Sequence, residues 1–255
     1  MHKNANPVTH LCYSDIDNIF IRGKNLVDEL VGQVTFTEMM LFHMLKEQPT
    51  PLQVAVVDAV LVTIMEHGLT PTAIAARQTF LGAPDSLQGA VAAGILGVGT
   101  RFAGTSGDCA HLLEEIVNAE KGEKQNVATA IAKRFRSARK PLPGYGHPIH
   151  KNGDRRVDKL VEIAQAHGAK GDYIEAMYIL GDAINAELGK KLIINVSAGM
   201  GAALAEAGIP ASIMQGVVIV SRCAGIVGHL LEEMEEPAAN FMWELIEEKV
   251  PYANP

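Results

Sequence analysis

Apolar residues recur at intervals of three and four along most of the chain, the spacing that places them on one face of an α-helix. Residues 191–196 alone have the short apolar composition of a strand. Glycine and proline separate the helical stretches. The pattern therefore predicts a nearly all-α-helical fold, with helices over residues 26–45, 51–66, 86–98, 109–119, 127–137, 156–167, 173–188, 198–207, 212–235 and 238–249.

The break between the predicted helices at 127–137 and 156–167 contains the run Lys-Pro-Leu-Pro-Gly-Tyr-Gly-His, which begins at position 140. Pro143 stiffens the chain, while Gly144 and Gly146 allow the backbone to approach a bound group closely. His147 follows, and histidine is the side chain that exchanges a proton near neutral pH. Because His147 lies in a glycine-rich loop and not on an apolar helix face, ligand contact is the favoured interpretation. The loop is predicted to be a binding site.

Length and charge limit the class of protein. The 255 residues are enough for one domain or for a large and a small lobe. The net charge of −7 gives no overall positive field that would attract nucleic acid or an anionic membrane. A polyanionic ligand must therefore be met by a local cluster of cations.

The spacing of the cysteines and the composition of the N-terminal residues bear on the cellular compartment of the protein. The three cysteines are widely spaced and form no C-x-x-C pattern, which argues against a disulfide framework or a zinc site. The first residues lack an apolar signal core, and no run approaches the roughly 20 apolar residues of a membrane span. These features predict a soluble, cytoplasmic protein without a metal site.

The Pro-Gly-Tyr-Gly-His motif at 143–147 resembles the signature of the citrate synthase superfamily, and details resemble its citryl-CoA lyase branch, which includes the C-terminal part of ATP citrate lyase. Further similar segments occur in the family's order, and the resemblance covers roughly residues 20–235. These segments are residues 21–26, 36–39, 49–50, 66–68, 99–104 and 221–225.

The resemblance implies an architecture. A large helical domain would consist of residues 1–153 and 211–255, and a small lobe of residues 154–210 would close over the substrate. The helices at 86–98 and 217–231 are rich in Ala, Gly and Val, so they pack either inside the subunit or at a subunit interface. The family favours the interface, in a homodimer or a dimer of dimers.

The resemblance also implies roles for side chains that bind and cleave the substrate. His67 would contact the oxaloacetate-like half, although a lone histidine at a helix end more often caps carbonyls. His147 would polarise a carbonyl or take the hydroxyl proton that starts carbon–carbon cleavage. Arg156 and Arg222 would hold carboxylates, which the guanidinium fork matches. Arg222 lies in an apolar run, where an unpaired charge is costly.

Coenzyme A is the cofactor that the resemblance implies, present as the thioester substrate or product. The backbone carbonyls of the motif would hold its adenine ring, and Lys151 would contact a phosphate or the pantetheine. The thioester delocalises the developing carbanion, so the reaction needs no metal. The implied coenzyme-binding residues are Pro143, Gly144, Tyr145, Gly146 and Lys151.

Three departures from the family pattern bear on the reaction. Phe102 stands where synthases have a histidine that helps to form the acetyl-CoA enol, and the same substitution in the lyase branch favours cleavage. Ser197 replaces an aspartate that exchanges a proton with the acetyl carbon, and serine is a poor general base. His150 or solvent would then supply that proton. Residues 237–255 contain no arginine, so a carboxylate contact of the family is missing and a different substrate remains open.

The leading hypothesis is a CoA-dependent carbon–carbon lyase. It would cleave a carboxylated 3-hydroxyacyl-CoA, citryl-CoA or a relative, to an acyl-CoA and a 2-oxo acid. One alternative is a CoA-thioester hydrolase or decarboxylase in which Ser197 positions water. Another is a regulatory protein that binds CoA without turnover.

Overall fold

The computed structural model describes residues 6–99, 105–146 and 153–253. Within these ranges helices dominate, and the all-α fold class predicted from the sequence is confirmed. A three-stranded sheet and a π-helix, Leu26–Leu30, precede the first α-helix. The α-helices are α1 (Phe36–Leu45), α2 (Pro51–Ile64), α3 (Pro71–Gly82), α4 (Leu87–Leu96), α5 (Thr105–Val117), α6 (Lys124–Ser137), α7 (Arg155–Ala166), α8 (Asp172–Leu188), α9 (Val196–Glu206), α10 (Ala211–Glu235) and α11 (Ala239–Lys249).

Side-chain caps fix where the first helices begin. The Thr35 hydroxyl accepts the backbone N–H of Glu38, whose carboxylate accepts the N–H of Thr35 in return. Thr50 and Gln53 form the same capping box at α2, where Pro51 occupies the first helical position. Each cap stabilises its helix by about 1 kcal/mol. These contacts explain why the predicted helix over residues 26–45 is broken before α1.

The largest cluster of buried side chains joins α2, α5 and α6 with α7, α8 and α9. Glycine allows close approach at the contact of α9 with α5, because a Cβ on Gly201 would lie 2.7 Å from the carbonyl oxygen of Ser106. Residues 154–210 therefore pack directly on the rest of the chain. The division into a large domain and a small lobe stays a prediction.

Two expectations about secondary structure are wrong. Residues 191–196 form no regular strand, and Ile194 makes only an isolated antiparallel bridge with Tyr145. The strands lie instead near the N-terminus, at β1 (Cys12–Ser14), β2 (Ile19–Ile21) and β3 (Lys24–Asn25), in one antiparallel sheet. Stacking of Tyr13 on Phe20, with ring centroids 4.8 Å apart, favours the pairing of β1 with β2.

In the described part of the chain, α10 alone has the length and apolar composition to cross a membrane, with a mean hydropathy of 1.5 in its most apolar window. It also carries four buried polar side chains, Ser221, Arg222, His229 and Glu233, all hydrogen-bonded to other parts of the chain. It packs against α2, α3, α4 and α5. We therefore interpret α10 as a core helix of the fold.

Candidate active-site cleft

A cleft of about 1150 Å³ opens where the end of α2, the start of α5, the loop before α7 and the start of α9 meet α10. This volume is sufficient for a large organic ligand. Several residues predicted from the sequence lie in its wall: His67, Pro143, Gly144, Gly146, Arg156, Ser197 and Arg222. The fold thus brings together side chains that are far apart in the sequence.

Four further site residues were predicted from the sequence: His147, Lys151, Phe102 and Tyr145. His147, Lys151 and Phe102 lie outside the described residues, so their roles stay predictions. The side chain of Tyr145 points into the core, where its hydroxyl donates to the carbonyl of Met177 at 2.8 Å. Burial raises the pKa of Tyr145 well above its ordinary value. Only the backbone of Tyr145 is therefore left for the predicted contact with coenzyme A.

Glycine is required in the loop at position 144. Gly144 has a φ of 85°, and a Cβ there would lie 2.7 Å from Cβ of Ala198 and 2.9 Å from Sγ of Cys109. The carbonyl of Gly144 accepts the backbone N–H of Asn195 at 2.9 Å. The Asn195 side chain donates to the carbonyl of Gly146 at 2.7 Å. Asn195 thus ties the loop to the start of α9, and each carbonyl keeps one lone pair for a ligand.

Arg156 is already oriented by a carboxylate. Its Nε and Nη2 donate to the two oxygens of Asp154, each at 2.8 Å. Asp154 also accepts the backbone N–H of Val196 at 3.0 Å. Burial alone would raise the pKa of Asp154, but the hydrogen bonds and charge of Arg156 outweigh it and lower the pKa. Only the remaining Nη1 of Arg156 is free of this bidentate pair.

Arg222 carries its charge without a carboxylate partner in the part of the chain that the structure describes. Its side chain is buried, and Nη1 donates to the carbonyl of Met65 at 2.9 Å. Nη2 lies 3.2 Å from the hydroxyl of Thr70 and 3.4 Å from that of Thr72. Among the described residues, no carboxylate lies within 4.0 Å of this guanidinium. A buried, hydrogen-bonded cation without a counter-ion in the wall of a cleft is suited to bind an anionic ligand.

The turn that carries His67 is held by the preceding residue. A carboxylate oxygen of Glu66 accepts the backbone N–H of His67 at 2.6 Å and that of Gly68 at 2.7 Å. Glu66 also lies 3.0 Å from Nε2 of His229. Burial would raise the pKa of Glu66, but these hydrogen bonds and the nearby His229 lower it. The exposed His67 ring thus projects from a turn fixed by a carboxylate.

Sequence reasoning missed a buried network behind this turn. Arg77 donates to Glu233 at 2.7 Å, pairs with Glu232, and lies 2.9 Å from Nδ1 of His229. A guanidinium has donors only, so Nδ1 of His229 must accept, and the proton on Nε2 points at Glu66. The network connects α3 and α10 to the His67 turn. The sequence signal that could have indicated this network is the presence of charged residues within otherwise apolar helices.

The start of α5 also contributes to the wall of the cleft. The hydroxyl of Thr105 donates to that of Ser197 at 2.8 Å. Asp108 and His111, which sequence reasoning also missed, follow Thr105 along α5 in the cleft wall. Ser197 therefore lies within a polar patch that α5 and α9 share.

A smaller cavity of about 240 Å³ adjoins the cleft across the loop at 140–146. Three cations line it: Arg136, Lys140 and Lys190. Arg136 is paired with Glu187 at 2.9 Å. The loop at 140–146 thus lies between the cleft and a separate cavity that is lined by basic residues. Across the described residues, no three His, Cys, Asp or Glu side chains cluster as metal ligands would.

Comparison with known proteins finds relatives that share this fold. A family model described as the citrate synthase C-terminal domain matches residues 33–243. The solved structure of citryl-CoA lyase from Hydrogenobacter thermophilus is 30% identical with a TM-score of 0.85, and the alignment covers 97% of this chain and 94% of that chain. ATP citrate lyase from Methanothrix soehngenii, solved with citrate and coenzyme A, shares the fold at 19% identity and a TM-score of 0.80, covering 100% of this chain and 43% of that chain.

Curated relatives include synthases as well. Citrate synthase 2 of Bacillus subtilis is 25% identical over 201 residues, which are 78% of this chain and 52% of that protein. The probable ATP-citrate synthase of Dictyostelium discoideum is 23% identical over 252 residues, 91% of this chain and 39% of that protein. The chain spans about half the length, or less, of these curated relatives.

Proposed function

Because this chain belongs to the citrate synthase family, as its sequence motifs predicted, we propose that it is a CoA-dependent carbon–carbon lyase. The family and its solved relatives indicate an enzyme acting on citrate-related CoA substrates. The finer proposal is cleavage of a carboxylated 3-hydroxyacyl-CoA, citryl-CoA or a relative, to an acyl-CoA and an oxaloacetate-like 2-oxo acid. The similarity to citryl-CoA lyase along nearly the whole length of both chains supports the cleavage direction.

The environment of Arg222 is the observation that supports this proposal most directly. Its guanidinium is buried beside the cleft, and its partners among the described residues are neutral: two backbone carbonyls and two threonine hydroxyls. A substrate carboxylate would supply the missing negative charge. His67, in the same wall, has a ring that can donate to a carboxylate or keto oxygen.

The chemistry needs a base at the hydroxyl and a sink for electrons. A base removes the proton of the 3-hydroxyl group, the bond between carbons 2 and 3 breaks, and its electron pair moves into the thioester as an enolate. The 3-hydroxyl carbon becomes the ketone of the 2-oxo acid, and a proton on the enolate carbon completes the acyl-CoA. His147 is the predicted base from the family resemblance.

Coenzyme A is proposed to lie across the loop at 143–146. Pro143, Gly144 and Gly146 line the cleft, and Lys140 and Lys190 line the neighbouring basic cavity beside the same loop. Ammonium groups are common phosphate ligands, so they suit the diphosphate end of the coenzyme. No metal enters this proposal, because the thioester carbonyl accepts the electron pair.

The pair of hydroxyls at Ser197 and Thr105 favours a second candidate. Two hydroxyls 2.8 Å apart in a cleft wall can position a water molecule beside a thioester. A CoA-thioester hydrolase or decarboxylase would then release free CoA or carbon dioxide. A third possibility is a regulatory protein that binds CoA without turnover, as the absence of an aspartate at 197 would allow.

Assembly and location are separate proposals. Apolar side chains on α10 and α11 are exposed in the single chain: Val227, Leu231, Met234, Phe241, Trp243 and Ile246. We propose that this surface is covered in a homodimer or a dimer of dimers, which sedimentation of the purified protein would reveal as a larger species. The cytoplasmic location stays a prediction from the sequence.

The test compares thioesters that differ in their carboxylates. Purified protein is given citryl-CoA and a 3-hydroxyacyl-CoA without further carboxylates, and acyl-CoA, free CoA and 2-oxo acid are followed by mass spectrometry. We expect cleavage of the carboxylated ester alone, and a loss of about 100-fold or more in kcat/KM for Arg222→Met. Arg134→Met, which removes a surface arginine paired with Glu115, is the matched control and should leave cleavage unchanged. Equal activity on both esters would contradict the proposal.

A further inference from the structure

Asp108 is the one carboxylate that lines the cleft among the described residues. The sequence adds no other nearby, since residues 100–104 and 147–152, the undescribed stretches next to the cleft elements, contain neither Asp nor Glu. Asp154 is close in sequence to the loop, but both of its oxygens are engaged by Arg156 and by the N–H of Val196. Among the residues that the structure describes, Asp108 is therefore the carboxylate of this wall, and it forms no ion pair with another of them.

Thr105 relates the position of Asp108 on α5 to that of Ser197 on α9. The hydroxyl of Thr105, in the first turn of α5, contacts that of Ser197 at 2.8 Å. Asp108 follows Thr105 by three residues, so the two side chains lie on one helix face with Cβ atoms about 5–6 Å apart. Both line the cleft. Asp108 therefore lies about one turn along α5 from Thr105, the residue whose hydroxyl contacts Ser197.

We propose that Asp108 exchanges the proton at the acyl carbon, the role that the family assigns to an aspartate at position 197. This inference rests on the proposed lyase function. In the synthetic direction the Asp108 carboxylate would take a proton from the carbon next to the thioester carbonyl, leaving the enolate and a neutral carboxylic acid. In cleavage the same acid returns that proton to the enolate carbon, so atoms and charge balance without a further reactant.

The hydroxyls at 105 and 197 then have a role of their own. Ser197 accepts the hydrogen bond from Thr105, so its own proton is available to an oxygen in the cleft, such as that of a thioester enolate. Serine cannot replace the carboxylate as a base near neutral pH. The proposed base is thus at position 108 on α5 and not at position 197 on α9. The hydrogen bond between Thr105 and Ser197 joins these two helices, so both positions belong to the polar patch that α5 and α9 share.

The experiment measures proton exchange apart from cleavage. Acetyl-CoA is incubated with the purified protein in D₂O, with malate present as a 2-hydroxy acid that has no ketone to react, and deuterium in the acetyl group is followed by mass spectrometry. Binding of acetyl-CoA and cleavage of citryl-CoA are measured in parallel. The variants are Asp108→Asn, the double variant Asp108→Asn with Ser197→Asp, and Glu120→Gln as a control for an exposed carboxylate just beyond α5.

We expect Asp108→Asn to lose about 100-fold or more of the exchange rate while acetyl-CoA binds as in the unchanged protein. Adding Ser197→Asp should raise the exchange rate of the Asp108→Asn variant at least tenfold. The Glu120→Gln variant should exchange at the rate of the unchanged protein. Exchange in Asp108→Asn within twofold of the unchanged protein would overturn the inference, as would an equal loss of binding and exchange or no recovery in the double variant. In those cases continued cleavage of citryl-CoA by the unchanged protein would leave the lyase proposal standing, whereas absence of both cleavage and exchange in the unchanged protein would overturn both.

Discussion

Nε2 of His229 lies 3.0 Å from a carboxylate oxygen of Glu66, although the two residues are 163 positions apart in the sequence. Glu66 in turn binds the backbone N–H groups of the turn that presents His67 to the cleft. The buried charge network of α3 and α10 is therefore continuous with the wall of the site. A change in the network should alter how His67 is held.

Replacement of Glu66 should affect substrate contact more than folding. In Glu66→Gln the side-chain amide still offers one oxygen, but the charge that strengthens the hydrogen bonds to the His67 turn is lost. We expect kcat/KM for the thioester to fall about tenfold with a smaller change in the free energy of unfolding. Kinetics and urea unfolding of the same preparation would measure both. An effect on stability alone would show that the turn does not depend on this carboxylate.

Replacement of Arg77 should destabilise the fold strongly. Arg77→Leu leaves Glu233, which is 5% exposed, without its cation, and breaking a buried ion pair costs about 3–5 kcal/mol. Arg134→Leu breaks an exposed pair with Glu115 and should cost about 1 kcal/mol or less. Urea denaturation of both variants would compare them. Similar midpoints for the two would refute the importance of the buried network.

The glycine loop offers a matched pair of substitutions. Gly144 and Gly146 have φ of 85° and 87°, so alanine is strained at both. At Gly144 the new Cβ would also collide with Ala198 and Cys109, whereas at Gly146 the nearest side-chain atom is 3.9 Å away. We expect Gly144→Ala to lose about 1–3 kcal/mol more of unfolding free energy than Gly146→Ala. Thermal unfolding would show a lower Tm for Gly144→Ala, and equal Tm values would contradict this packing.

Acid should destabilise the protein because it protonates carboxylates that are hydrogen-bonded in the folded state. The pKa values of Glu66, Asp154 and Glu233 are lowered in the folded state, where hydrogen bonds and cations outweigh burial. The unfolded chain then binds more protons than the folded one near and below pH 5, so stability rises with pH in that range and is lost as pH falls. Urea midpoints measured between pH 7 and pH 3 should decline below about pH 5. Asp154→Asn should show a shallower decline, and an unchanged slope would exclude Asp154 as a contributor.

The helices of the core could be predicted from the sequence because each carries a long apolar stripe. Residues 212–235 were predicted as one helix, and α10 is Ala211–Glu235. The α3 helix was missed because its apolar face is short, lies between breaks at proline and glycine, and contains the buried Arg77. The N-terminal sheet was missed because its strands have two or three residues, too few for an alternating pattern.

The site was predictable only where its residues form a local motif. The loop at 143–147 combines glycine, proline and histidine within five positions, which sequence reasoning recognised. Asp108 has no such local signal, and neither does the contact of Glu66 with His229. Their relevance depends on contacts with residues far along the chain, such as the bond between Thr105 and Ser197 across 92 positions. Tertiary packing, and not local sequence, decides which carboxylate lies in the cleft.

The stoichiometry of products from citryl-CoA tests the central proposal most directly. We predict that the purified protein forms acetyl-CoA and oxaloacetate in equal amounts, each matching the thioester consumed, with no free CoA beyond the uncatalysed background. A His147→Ala variant should abolish both products. Free CoA in place of acetyl-CoA, or tight CoA binding without any loss of citryl-CoA, would contradict a carbon–carbon lyase.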